Sequence, residues 1–436
     1  MALPIVAVVG RPNVGKSTFV NRIAQSEDAI VHSSRGVTRD RSYHTAEWCG
    51  HHFMLIDTGG IEIAKDDDFQ ASIRAQAQVA TEEADIIVFL VDGKTGLTVD
   101  DESVAQLLKR AKKPVFLAVN KVDTPGSETE TYEFWNLGLG EPYAVSATHG
   151  NGTGDLLDEI VKELPQVEPE EDDGALSIAL IGRPNAGKSS LANRLTGVDR
   201  SIVSDVAGTT RDAIDTTVER EGVLFRFVDT AGLRRKGAID EDIEYYGFVR
   251  AMRAIDRAQV ALLVIDATIG LTDQDQRIAG FAADRGCAMA IILNKWDLMD
   301  DEEEKQRLLD HIEDRLTFIS WAPVIRVSAL TGKNTHKIFD AIKKVYANFT
   351  QEISTSKLNR LLTEMRDFGH TINKNGKSLR LNYVTQTHVA PPGFTFFANF
   401  PQIIDENYKR YVENRMRNAF DFSGTPIYLK FKKKDS

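Results

Sequence analysis

Gly10-Arg11-Pro12-Asn13-Val14-Gly15-Lys16-Ser17 has the form of a phosphate-binding loop, and 172 residues later the chain repeats it as Gly182-Arg183-Pro184-Asn185-Ala186-Gly187-Lys188-Ser189. Each copy follows a short apolar run, Pro4 to Val9 and Leu176 to Ile181, that reads as a buried strand, and each leads into a helical pattern. Gly10 and Gly15 let successive backbone N–H groups turn into one concavity, a nest for phosphate oxygens. The helix beginning near Val14 adds partial positive charge beneath that nest. Lys16 and Lys188 bring a point charge to the β- and γ-phosphates, and the Ser17 and Ser189 hydroxyls are placed to ligate Mg2+. A chance glycine turn could account for one loop but not for two in the same context.

The repeat extends beyond the loops. Residues 10–23 and 182–195 agree at 9 of 14 positions, and Gly36 to Asp40 (Gly-Val-Thr-Arg-Asp) returns as Gly208 to Asp212 at the same offset. Duplication at this length means two copies of one domain rather than a solenoid. In the first copy Phe53–Ile56, Asp85–Val91 and Pro114–Val119 read as strands, with helices over Phe69–Glu83 and Asp101–Ala111. Alternation of this kind predicts α/β domains, each a mostly parallel sheet with helices on both faces and ligands at the carboxyl ends of its strands. The expected limits are 1–165 for the first domain, 166–175 for a linker, 176–349 for the second domain and 350–436 for a third. The linker contains Gln166 to Asp173, with five acids in eight residues. In the third region a helix over Leu358–Phe368, strands over Leu379–Thr387 and Phe394–Phe400, a helical spacing from Ile404 to Phe420 and a last strand over Pro426–Phe431 predict a small α+β domain. The aromatic residues at helical spacing there read as core.

Asn120-Lys121-Val122-Asp123 and Asn294-Lys295-Trp296-Asp297 each follow a buried strand, as a base-reading loop should. A carboxylate at Asp123 or Asp297 accepts from guanine N1–H and the 2-amino group together. Such bonds are worth about 1.5–3 kcal/mol each, and adenine makes neither. Ser146-Ala147 and Ser328-Ala329 read by position as the backbone loop supporting guanine O6. Asp57-Thr58-Gly59-Gly60 and Asp229-Thr230-Ala231-Gly232 place a carboxylate at a strand end to hold Mg2+ through water, with Gly60 and Gly232 sensing the γ-phosphate. Thr38 and Thr210 read as the threonines that close over Mg2+, in loops that order and disorder with nucleotide state. The glutamine that commonly follows Asp-x-x-Gly is replaced by Ile61 and Leu233, which cannot orient a water molecule by hydrogen bonding. Hydrolysis is then slow and assisted by another group, or the water is positioned otherwise.

The chain of 436 residues is 42% hydrophobic and 27% charged, the composition of a globular protein of two or three domains. It has no apolar run of eighteen residues and no leader pattern, so a cytoplasmic, membrane-free monomer is expected. Cys49 and Cys287 match neither a disulfide framework nor a metal-ligand spacing. Net charge is −11, yet from Thr350 onward 14 Lys and Arg face 8 Asp and Glu, a balance of +6. The first 349 residues then hold 39 against 56, a balance of −17. This asymmetry fits a tail that meets a polyanion, or a solvated basic face.

Through these motifs the chain resembles the bacterial Der (EngA) GTPases over essentially its full length. The resemblance rests on the paired Gly-Arg-Pro-Asn-x-Gly-Lys-Ser loops, on Gly36 to Asp40, and on Glu413 to Arg417 (Glu-Asn-Arg-Met-Arg) through Gly424 to Ile427 (Gly-Thr-Pro-Ile). It implies tandem P-loop G domains followed by a KH-like domain, with GTP and GDP as ligands. It also implies a role in assembly of the large (50S) ribosomal subunit, with nucleotide state governing contact with that particle and its rRNA. In related GTPases without the glutamine, the loop asparagine helps bind K+ in place of an arginine finger. Asn13 and Asn185 match that position, which implies K+-stimulated hydrolysis; a purely structural asparagine is the alternative. The Gly-x-x-Gly loop that usually clamps nucleic acid in KH domains is missing between 351 and 436. The third domain then contacts RNA through Lys430, Lys432, Lys433 and Lys434, or docks on a G domain. A GTP-regulated RNA-modifying or metabolic factor is the competing function, and a nucleotide-loaded scaffold without hydrolysis is a third.

Overall fold

The computed structural model describes residues 3–25, 43–58, 77, 80–82, 84–123, 128–165, 174–197, 215–230, 244–368, 373–374 and 377–433. They fall into two compact units. The first is built on β1 (Ile5–Val9), α1 (Lys16–Gln25), β2 (Tyr43–Trp48), β3 (His51–Asp57), β4 (Ile86–Asp92), α2 (Val99–Leu108), β5 (Val115–Asn120), β6 (Pro142–Ala144) and α3 (Thr153–Glu163). Its sheet runs β2-β3-β1-β4-β5-β6, parallel throughout except for the antiparallel edge pair β2–β3. β1 lies between β3 and β4, where the strand order reverses, the position at which open α/β sheets bind ligands.

The second copy repeats this plan with β7 (Leu176–Ile181), α4 (Lys188–Gly197), β8 (Thr216–Arg220), β9 (Val223–Phe227), α5 (Glu244–Arg257), β10 (Val260–Asp266), α6 (Asp273–Asp284), β11 (Ala288–Asn294), α7 (Glu302–Arg315), β12 (Val324–Arg326) and α8 (His336–Phe349). Its sheet order, β8-β9-β7-β10-β11-β12, matches the first strand for strand.

Parallel strands covered on both faces read as continuous apolar runs, and β4, β10 and β11 are buried at every position. Alternate residues of β1 and β4 (Val6, Val8, Val88, Leu90) share one core with Phe19 of α1 and Leu156 and Ile160 of α3. Ile178, Leu262 and Ile292 pack likewise with Leu191 of α4 and Phe339 and Ile342 of α8. Each fully buried side chain of this size contributes roughly 1.5–3 kcal/mol. The helix after the central strand starts on the same device in both copies. Thr98 and Thr272 accept from the N–H of Asp101 and Asp275, whose carboxylates accept the threonine N–H in return.

The strands expected from sequence appear with their ends within two residues of those predicted. The hairpin strand β2 was not expected, because its polar residues (Tyr43, His44, Thr45, Glu47) carry no apolar run; it gains its place by pairing along the sheet edge. The predicted helix 69–83 and the acidic linker 166–173 lie largely or wholly outside the described residues.

The C-terminal region adds α9 (Thr355–Phe368), the hairpin β13 (Asn373–Lys374) and β14 (Lys377–Ser378), β15 (Leu381–His388), β16 (Gly393–Ala398), α10 (Glu406–Ala419) and β17 (Tyr428–Lys433). β15 and β16 pair antiparallel, and β17 joins β16 parallel as an edge strand. Val412 and Met416 of α10 enter the core, with Tyr408 and Tyr411 packed against it. The aromatic spacing was therefore a core signal. Within this second unit the C-terminal region docks on the second α/β sheet through the loop around Gly424. Met289 N–H donates to the Gly424 carbonyl (2.7 Å), Gly424 N–H donates to Trp321 (2.7 Å), and Asn348 Nδ2 donates to the Ser423 carbonyl (2.9 Å). Gly424 has φ +75°, and a Cβ there would collide with Val345 of α8. Both effects forbid a larger residue. Gly424→Ala should therefore lower stability by about 2–4 kcal/mol in urea denaturation of the full chain; an unchanged midpoint would show that this docking contributes nothing.

Candidate functional site

The two phosphate loops emerge from β1 and β7 and close into α1 and α4. Their glycines are required by space as well as by dihedral angle. A Cβ at Gly10 would overlap the Leu90 carbonyl and one at Gly15 the Asn120 side chain; Gly182 and Gly187 meet Val264 and Asn294 in the same way. Asn13 and Asn185 sit at φ +66° and +62°, in the left-handed region that asparagine tolerates better than most residues. Their residue type therefore has a conformational reason whatever else they bind. Lys16 is 5% exposed and donates to the carbonyls of Gly10 (2.6 Å) and Arg11 (2.9 Å). Lys188 donates to Gly182 and Arg183, each at 2.6 Å. Burial pushes the Lys16 ammonium down to about 8 against the pull of Asp57, and burial brings Lys188 to about 8 against the pull of Asp275.

Asn120 and Asn294 tie each site together. Asn120 Nδ2 donates to the Val14 carbonyl (2.7 Å) and its Oδ1 accepts from the Ala147 N–H (2.9 Å). Asn294 does the same with Ala186 (3.0 Å) and Ala329 (2.9 Å). Lys121, at φ +71°, donates to the Asn13 carbonyl (2.8 Å) and pairs with Asp92 (2.6 Å). Lys295, at φ +60°, pairs with Asp266 (2.5 Å). Burial alone would raise the Asp92 carboxyl; Lys121 and the N–H groups of Thr95 and Lys94 outweigh it and hold the group below its usual range. Asp123 accepts from Lys94 (2.6 Å) and from the Ser146 hydroxyl (2.8 Å), and these two donors hold its carboxyl low.

Arg22 and Arg194, which the sequence marked only as part of the repeat, complete the frame. Arg22 Nε donates to the Ala147 carbonyl (3.1 Å) and Arg194 Nε to that of Ala329 (3.1 Å). Their signal was their recurrence at a fixed place in the helix after the loop. Asp101 and Asp275 were missed as well. They are buried beside Arg11 and Arg183, with Arg11 Nε 3.4 Å from Asp101 Oδ2 and the Arg183 N–H donating to Asp275 Oδ1 (3.1 Å).

Asp57 ends β3 and is 2% exposed, and Thr58 Oγ1 donates to the Val8 carbonyl (2.7 Å). In the second copy β9 stops at Phe227, and Asp229 sits beyond it at φ +54° with its N–H donated to Asp215 (2.9 Å). The Thr230 hydroxyl meets that of Thr216 at 2.6 Å. Thr38, Thr210, Gly59, Gly60, Ile61, Ala231, Gly232 and Leu233 lie outside the described residues.

Residues 5–121 and 177–295 match the family described as 50S ribosome-binding GTPase, and 352–432 match the C-terminal KH-domain-like family of EngA bacterial GTPase enzymes. GTPase Der of Heliobacterium modesticaldum is 48% identical over 430 residues, covering 98% of this chain and 97% of that protein. GTPase Der of Streptococcus pyogenes is 50% identical over 431 residues, covering 98% and 99%. The chain belongs to the Der family of GTPases. Like other Der proteins it binds guanine nucleotide and hydrolyses GTP. Among solved structures, the FeoB G domain of Methanococcus jannaschii aligns with 37% of the chain and 98% of its own at 22% identity and a TM-score of 0.28, too slight a likeness to argue from.

A GTPase of the Der family whose loop lysines titrate near 8 should lose productive binding in mild base. The ammonium holds its proton below that pH, and above it the loop loses the positive charge that a polyphosphate would meet. Because kcat/KM reports groups of the free enzyme, it should be level near pH 7 and fall towards tenfold per unit above about 8. A profile for GTP hydrolysis that stays flat to pH 9 would place both lysines at their ordinary value.

Proposed function

We propose that this GTPase is a two-site switch acting in assembly and stability of the large ribosomal subunit, with its two guanine-nucleotide sites gating contact with the ribosomal particle and its rRNA. The observation that carries the reading is the doubling of one complete cradle, with the same asparagine tie in both copies, in a chain that ends in an EngA-type KH-like domain. The chain limits proposed for the parts are 1–165, 166–175, 176–349 and 350–436, in one cytoplasmic polypeptide acting as a monomer.

In each site the loop N–H groups receive the phosphates. Lys16 and Lys188 exchange their bonds to the loop carbonyls for bonds to phosphate oxygens, so each ammonium is held ready without a new rotamer search. Asp123 and Asp297 read guanine N1–H and the 2-amino group, and the loops at Ser146-Ala147 and Ser328-Ala329 back the base. The hydroxyl and carboxylate oxygens of Ser17 with Asp57, and of Ser189 with Asp229, are the hard donors that Mg2+ prefers. Asp57 also sits close enough to attract the Lys16 ammonium, which fits a cation-and-phosphate site. These residues, with Thr38 and Thr210, would hold Mg2+, which when bound neutralises charge on the β- and γ-oxygens. Asn13 and Asn185 are exposed at the lip of the loop, and we assign them to K+.

Two measurements test this reading. Co-sedimentation with ribosomal subunits should depend on whether GTP or GDP is bound and should weaken as salt rises, because phosphate contacts release counterions. Nucleotide-independent sedimentation would remove the switch. GTP turnover should be several-fold faster in KCl than in NaCl of equal ionic strength; equal rates would leave Asn13 and Asn185 with a conformational role alone.

A further inference from the structure

We propose that Lys94 sets the guanine affinity of the first site by competing with the base for Asp123, and that the second site has no such competitor. The inference rests on the reading of Asp123 and Asp297 as the base-reading carboxylates. β4 and β5 pair in register with Asp92 beside Asn120, so the loops that follow them leave the sheet side by side. Lys94 stands two residues past Asp92 and Asp123 three past Asn120. Their side chains meet at 2.6 Å, with Lys94 62% and Asp123 33% exposed. Oδ1 of Asp123 already accepts the Ser146 hydroxyl, so Lys94 occupies the other oxygen. Bonds from either partner to the carboxylate are charge-assisted, but guanine offers neutral N–H donors, whereas the ammonium adds the attraction of a full opposite charge. The base must displace Lys94 or share an oxygen whose acceptor strength Lys94 has drawn down. Either course weakens its bond.

The second copy has the same register, Asp266 beside Asn294, but position 94 is taken by Thr268. Its hydroxyl is turned back to Asp266 Oδ1 at 2.6 Å. Among the described residues nothing forms an ion pair with Asp297. Ile269, Leu298 and Leu330 beside that loop are exposed at 63%, 60% and 79%, and the nearby Arg326 guanidinium lies over the Trp296 ring, 5.1 Å from its centre, rather than in an ion pair with Asp297. The base-reading carboxylate is therefore open at the second site and partnered at the first.

The test is a reciprocal exchange in the full-length chain, read as the affinity of each site for a fluorescent GDP analogue. The other site is silenced by Lys188→Ala or Lys16→Ala. Lys94→Thr should tighten the first site about two- to fivefold, the range expected for an exposed ion pair. Lys94→Gln, which keeps the stem and loses the charge, should do the same. The gain should shrink as ionic strength rises and screens the pair. Thr268→Lys should loosen the second site by a similar factor. Unchanged or weaker GDP binding in both Lys94 variants overturns the proposal. Asp123→Asn separates this failure from failure of the underlying reading. If that variant keeps its preference for guanine over xanthine nucleotide, the base assignment itself is wrong. If preference shifts while the Lys94 variants bind GDP like the parent, only the role of Lys94 falls.

Discussion

The side-chain amide of one buried asparagine holds each nucleotide site together. Asn120 and Asn294 are each 2% exposed, and each spans the gap between the phosphate loop and the loop after the neighbouring strand with one donated and one accepted hydrogen bond. Neither the Val14 carbonyl nor the Ala147 N–H has a regular ladder to join, and a buried backbone group left unpaired costs about 1–3 kcal/mol. The glycine next to this amide must lack a Cβ because the asparagine fills that space. Arg22 and Arg194 then fasten the far loop to the helix below the phosphates. The loop after β1 or β7 and the loop after β6 or β12 thus share one frame, and they cannot shift independently.

The two copies repeat this frame and differ at its edges. Asp57 finishes a strand, whereas Asp229 stands past the end of β9 in a left-handed conformation supported by Asp215, which Arg257 in turn holds at 2.6 Å. After β4 the first copy carries Lys94 where the second, after β10, carries Thr268. Such substitutions lie on loops, which tolerate change because they bury little. The interior allows less: alternate strand residues face one core, and a one-residue slip would turn every side chain to the other face.

In the C-terminal region composition and packing mark different places. Its positive balance pointed to the lysine-bearing end, and Lys430, Lys432 and Lys433 are indeed exposed on β17. The loop at Gly424 makes contacts to the second α/β sheet, through backbone bonds to Met289 and Trp321 and through side chains, with Lys344 of α8 3.3 Å from Asp421 and Thr425 Oγ1 donating to the Val345 carbonyl. Arg417 of α10 is half of that arrangement, donating to the carbonyls of Phe422 and Thr425 and lying 5.5 Å from the Trp321 ring centre.

Sequence alone determined the two α/β copies, their phosphate loops, the buried strands and the helical core positions of the last domain. Those features are local or periodic: a glycine spacing, an apolar run or a helical repeat is written in consecutive residues. It also located Asn120, Asp123 and their counterparts by position. Tertiary structure decided what those residues hold. The pairing of Asn120 with Val14 spans 106 residues and that of Arg22 with Ala147 spans 125, and no local pattern encodes such partners. The same is true of Lys94 with Asp123, of Asp101 beside Arg11, and of Gly424 against Val345. Each depends on which strand ends the sheet brings side by side, and strand order is set by burial of the whole sheet.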